Sequence, residues 1–73
     1  MKYQKKIEVT TSGNITFERN GILHTSGDIE TNKELDSITP LIKNNLKELL
    51  DENFISLKEI KGIVITLNKI NNL

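Results

Sequence analysis

Residues 3–11, Tyr-Gln-Lys-Lys-Ile-Glu-Val-Thr-Thr, alternate between two faces. Tyr3, Ile7 and Val9 fall on one side; Gln4, Lys6, Glu8 and Thr10 fall on the other. A period of two marks a strand with one buried face, so the chain is committed to a sheet within its first dozen residues. A half-buried strand needs neighbours and a cover, and the remaining sequence supplies both.

Ser12-Gly13-Asn14 has turn chemistry, with Gly13 free to take positive φ. Residues 15–19 alternate again, with Ile15 and Phe17 directed inward. Asn20-Gly21 then stands between two alternating runs and predicts a hairpin. A two-residue loop would pair Phe17 with His24 and put Ile22 inward. A three-residue loop would pair Phe17 with Leu23. The second is preferred, because it puts Leu23 inside and His24 outside; a slip of one residue reverses those faces. Ser26-Gly27-Asp28 reads as a bulge or turn, with Ile29 extending a third strand to about Thr31. Residues 32–36 read as a polar, acidic loop.

A helix follows. Thr39 suits the N-cap and Pro40 the first helical position, with Asp36 or Ser37 able to cap an earlier turn. Leu41, Ile42, Leu46, Leu49 and Leu50 recur at helical spacing, and Phe54 continues the stripe. Lys43, Asn44, Lys47, Glu48, Asp51 and Glu52 take the opposite face, and Asn53 is a natural stop. Ser56-Leu57-Lys58-Glu59 matches a capping box and predicts a short second helical turn before Gly62. Residues 63–67, Ile-Val-Ile-Thr-Leu, are β-branched and almost continuously apolar, which predicts the most buried strand. The Asn-rich residues 68–73 are expected to fray.

The expected fold is therefore α+β: an antiparallel sheet of about four strands in the order β-β-β-α-β, with one amphipathic helix on one face. The helical stripe should pack on Ile7, Val9, Ile15, Phe17, Ile63, Ile65 and Leu67. The 73 residues make one small domain, with 36% hydrophobic residues that are mostly Ile and Leu. A core of that size stands near the lower limit for folding alone, so self-association that adds burial is expected.

Several chemistries are excluded or unsupported by residue type. There is no Cys, so disulfides, thiolate catalysis and thiolate-metal sites are ruled out. No apolar run is long enough to span a membrane, and the Met-Lys-Tyr-Gln-Lys-Lys start lacks a signal-peptide core. The expectation is a soluble, cytoplasmic protein. Nine Lys to one Arg, nine Asn and no Ala read as AT-rich coding, compatible with a low-GC bacterium or one of its phages or plasmids.

His24 is the single histidine. A general-base reading would orient it with Asp28 or Glu30, and a metal reading would add Glu34; an exposed strand residue beside a solvated acidic loop is the simpler reading of both. No nucleophile-base set and no phosphate-binding glycine motif is present, so no enzyme activity, metal or cofactor is expected.

Charge then carries the functional expectation. The net charge is zero, against a dedicated polyanion binder, but the charges are segregated. Asp28, Glu30, Glu34, Asp36, Glu48, Asp51 and Glu52 could form an acidic docking surface for another protein. The leading expectation is a non-catalytic protein-binding module, an inhibitor or regulator of a larger partner. One alternative is a small nucleic-acid binder using Lys2, Lys5, Lys6, Arg19, Lys61 and Lys69. Another is a homo-oligomeric subunit, such as a homodimer joined through an edge strand or an uncovered sheet face.

Overall fold

The computed structural model describes residues 1–29 and 32–71. It has the order β1 (Lys2–Thr11), β2 (Thr16–His24), α1 (Asn32–Glu52), a 3₁₀ turn (Leu57–Glu59) and β3 (Ile60–Lys69). The three strands form one antiparallel sheet in the order β2-β1-β3. The class is α+β, and among the described residues one α-helix lies on one face of a sheet of three strands rather than four.

The missing strand traces to Asn20-Gly21. There is no hairpin at this dipeptide: Asn20 faces Lys6 and Gly21 faces Lys5 in the middle of a continuous β2. Phe17 pairs with Val9 and Leu23 with Tyr3, so Phe17 and Leu23 share one strand instead of facing each other. The lone turn between β1 and β2 is Ser12-Gly13-Asn14. The Asn14 N–H donates to the Thr11 carbonyl at 2.9 Å, and Asn14, not Gly13, takes the left-handed conformation at φ 62°. A type I turn closed by a left-handed residue is a standard three-residue hairpin loop. Ile15 belongs to this loop and is 58% exposed, so it is not a core residue.

β1 is the central strand. Its odd residues Tyr3, Lys5, Ile7, Val9 and Thr11 are all buried on the face that α1 covers. Ile7 and Val9 anchor one cluster with Leu49, Leu50 and Ile55, against which Phe17, Ile42, Leu46 and Ile60 pack. Tyr3, Leu23 and Ile38 form a second cluster at the other end. The even residues Gln4, Lys6, Glu8 and Thr10 lie on the uncovered face, which is polar across β1.

α1 begins well before the expected cap. Pro40 sits inside it, and residues 32–36 are helical rather than looped. Pro40 removes the donor that would bond the Asp36 carbonyl. The turns that precede it hold because Ile38 is buried at 4% exposure against Tyr3 and Leu23. Leu41 falls off the buried stripe at 45% exposure. The helix ends at Glu52. The Ile55 N–H reaches the Leu50 carbonyl at 2.9 Å and the Phe54 N–H reaches that of Asp51 at 3.3 Å, the paired bonds of a Schellman cap. Phe54 occupies its left-handed position at φ 54° and is 93% exposed, so it does not extend the core stripe.

β3 is an edge strand, not the most buried one. Ile63, Val64 and Ile65 are 41%, 57% and 41% exposed. It continues through Lys69, and the Ile70 N–H still donates to the Lys2 carbonyl at 2.9 Å, so ladder pairing persists through part of the stretch expected to fray. A bulge separates its first residues from the rest, since Thr10 faces Gly62 but Thr11 faces Ile60.

Candidate functional site

α1 lies along the sheet with two different flanks. On the β2 side the seam is polar. The Lys5 ammonium, on a side chain packed over Gly21, donates to Asn45 Oδ1 at 2.9 Å. Arg19 extends its fork to the helix, where Nη1 bonds Glu48 and Nη2 bonds Glu52. The hydrogen bond to Glu52, with Glu48 beside it, raises the Arg19 pKa above its ordinary value. The result is a clamp between strand and helix at the edge of the sheet.

The β3 side is open and mostly apolar instead. Leu35, Thr39, Ile42, Lys43 and Leu46 of α1 face Ile65 and Leu67 of β3 across an open depression of about 440 Å³. A second depression of about 480 Å³ adjoins it, lined by Leu46, Lys47, Leu50, Asp51, Ile55 and Leu57. Lys43 and Leu46 are common to both, so the two form one groove along the helix. Its floor and walls are apolar, and Lys43, Lys47 and Asp51 supply its charge. Leu35 at 47% and Leu57 at 78% exposure mark how incompletely the chain fills it.

The residues singled out by sequence fall in several places. Asp28 is held by Lys69 Nζ at 3.0 Å and by the Tyr3 hydroxyl at 3.1 Å. These two bonds, Lys69 first, hold its carboxyl below the usual 3.8. Glu34 accepts from the Ser26 hydroxyl at 2.7 Å. Glu48 and Glu52 belong to the Arg19 clamp, while Asp36 and Asp51 are exposed on α1. Glu30 lies outside the described residues. The described acidic residues thus fall in separate places: Asp28 beside β3, and the others at the helix start, on the β2 flank and on the groove rim.

The basic set is divided as well. Lys5 and Arg19 are on the helix-covered face, whereas Lys6 is on the open face between Glu18 at 3.3 Å and Glu8 at 3.7 Å. Its hydrogen bond to Glu18, with the charge of Glu8, raises the Lys6 pKa. Lys61 donates to Asn14 Oδ1 at 3.0 Å, and Lys2 is exposed on β1. His24 is exposed opposite Lys2. Among the described residues no three His, Cys, Asp or Glu side chains converge to hold a metal ion, and no helix is long and apolar enough to cross a membrane.

The groove and the β3 edge were not singled out by sequence. The one signal for them was the apolar run of residues 63–67, whose exposure depends on which side of β1 it pairs with. Comparisons of the chain with family models, curated proteins and solved structures find no match.

Proposed function

We propose that this chain is a non-catalytic protein-binding domain, a regulator or inhibitor of a larger protein, that works through the α1–β3 flank. The observation that carries the reading is the coincidence of two unmet needs on that flank. Among the described residues β3 has a neighbour on one side only, and an apolar groove runs beside it. Exposed edges offer backbone hydrogen bonds, and apolar pockets beside them select side chains of an added strand. Rimming charges such as Lys43, Lys47 and Asp51 set orientation more than affinity.

The nucleic-acid alternative has less behind it, because Lys5, Lys6, Arg19 and Lys69 each have partners within the chain. The test is affinity capture from the native host with the wild-type chain and with Ile65→Lys, which puts a charge on the groove floor. A stoichiometric protein partner that the variant loses supports the reading. Equal capture by both, or no partner, overturns it.

A further inference from the structure

Resting on the reading of the α1–β3 flank as a protein-binding surface, we propose that its occupant in the isolated protein is a second copy of this chain. The two copies join by antiparallel β3–β3 pairing about a twofold axis.

The ladder shows what the edge offers. Hydrogen-bonded and non-bonded pairs alternate along an antiparallel ladder. The Ile70 N–H donates to the Lys2 carbonyl, so the even residues from Ile70 back to Gly62 bond to β1. Ile63, Ile65 and Leu67 therefore turn their N–H and C=O groups outward. Their side chains lie on the helix side of the sheet, two of them lining the groove. The same residues offer the free hydrogen bonds and the uncovered apolar surface, so one added strand would satisfy both.

The two edges of the sheet differ in how they meet this problem. On β2 the Thr25 N–H donates to the Met1 carbonyl, which leaves the even residues facing outward. That edge carries the charge of Glu18, and Arg19 ties the strand to the helix. Charged side chains of this kind discourage edge pairing. β3 has none of these devices between Gly62 and Asn68: no charge and no proline.

Charge also selects the occupant. A charged partner strand would find no counter-charge along residues 62–68, whereas a second β3 meets it neutral to neutral. With Thr66 on the axis, Ile65 faces Leu67 of the other copy and Val64 faces Asn68. Lys69, already paired with Asp28, faces Ile63 of the other copy. An axis at Ile65 would instead set Lys61 against Lys69, and it would draw the bulge at Lys61 into the ladder. Antiparallel pairing is its own complement under twofold symmetry. The product is a six-stranded sheet with both α1 helices on one face and their two grooves joined over a shared apolar floor.

The chain has no native Cys, so a single introduced thiol reports the axis. Facing residues of a non-hydrogen-bonded pair stand about 4.5 Å apart at Cα, within reach of a disulfide. Oxidised Thr66→Cys is expected to form a covalent dimer, and Ile22→Cys on the β2 edge is expected to stay monomeric. Light scattering of the wild type at high micromolar concentration should give twice the 8.3 kDa chain mass. Ile65→Pro removes an outward N–H and spares the β1 ladder, so it should keep its circular dichroism and scatter as a monomer. If it fails to fold, the thiol cross-link still decides.

A monomeric wild type with no Thr66→Cys cross-link overturns the proposal. So does a folded Ile65→Pro that remains dimeric. If the chain is monomeric yet captures another protein in a manner that Ile65→Lys abolishes, self-pairing fails and the binding-domain reading stands. If it dimerises as described but captures no other protein, self-pairing stands and the regulator reading fails.

Discussion

The two flanks of α1 meet the same requirement in opposite ways. Toward β2, the helix is joined to the sheet by Lys5–Asn45 and by Arg19 with Glu48 and Glu52, and Leu23 beneath it is 1% exposed. Toward β3, Ile63 and Ile65 stay 41% exposed beside an open groove. The difference shows that a small chain need not distribute its core evenly. The helix sits over the hairpin that precedes it and leaves the last strand partly bare. A residue's apolar character is therefore a poor guide to its contribution here; which flank it stands on matters more.

The largest expected effect breaks this comparison directly. Leu23→Ala should cost about 3 kcal/mol, because it empties a filled site in the Tyr3–Ile38 cluster. Ile65→Ala should cost only about 1 kcal/mol in dilute solution, since much of its surface is already wet. Urea denaturation of both at low concentration measures the gap; equal losses would mean that the β3 flank is packed as well as the other. Repeating the Ile65→Ala titration at high concentration sharpens the comparison, because self-pairing would raise its cost.

A gain is expected at the end of the groove. Phe54 holds a left-handed conformation that costs a side-chain-bearing residue roughly 1–2 kcal/mol, and its exposed ring recovers little of that. Phe54→Gly should raise stability by about 1 kcal/mol in thermal melts, since glycine adopts this geometry freely. A loss would show that the ring makes contacts worth more than the strain.

Arg19→Ala should lower the melting temperature by less than Leu23→Ala does, and the deficit should shrink as salt is added. Both Glu48 and Glu52 are solvent-exposed, so screening already weakens the clamp. A deficit that ignores salt would assign the role of Arg19 to its aliphatic stem.

The smallest effect is on the β3 side, where Asp28 ties Lys69 to Tyr3. Its folded pKa lies below 3.8, so the unfolded chain takes up the proton first as pH falls. The stabilisation is complete above the ordinary carboxylate value and is lost as pH drops through the lower folded value. Acid titration below about pH 4 should show a shallower decline for Asp28→Asn than for the wild type. Identical slopes would assign the acid sensitivity to other carboxylates.

Much of the fold was legible where local pattern and global pairing agree. Alternation located β1 and placed Tyr3, Ile7 and Val9 on its buried face, and the helical stripe located Ile42, Leu46, Leu49 and Leu50. The 3₁₀ turn falls where Ser56 and Glu59 indicated it, but the capping box itself does not form: Ser56 makes no side-chain cap bond, and its hydroxyl donates instead to the Glu59 carboxylate at 3.2 Å. Asn20-Gly21 misled because its turn preference is local, whereas a ten-residue β1 rewards an unbroken partner with a full ladder. Pro40 misled for a similar reason: burial of Ile38 outweighs a preference for the first helical position. The β-branched run of residues 63–67 predicts the most buried strand, yet such composition reports fitness for a sheet and not rank within it. The hairpin claims one side of β1, so β3 must take the other and end at an edge. The groove was not legible, since it depends on how far the helix is offset across the sheet.

The position of β1 has a consequence for how the chain becomes folded. Tyr3 faces Lys69, so the two neighbours of the central strand come from very different distances along the sequence: β2 directly after it and β3 only beyond the helix. On a ribosome, β1 and β2 can pair early, but the other side of β1 stays open until β3 emerges. Closing the long β1–β3 loop costs entropy before its contacts repay it, so this pairing is expected to follow the hairpin. Loss of β3 would therefore not trim an edge; it would turn the most buried strand of the sheet into one.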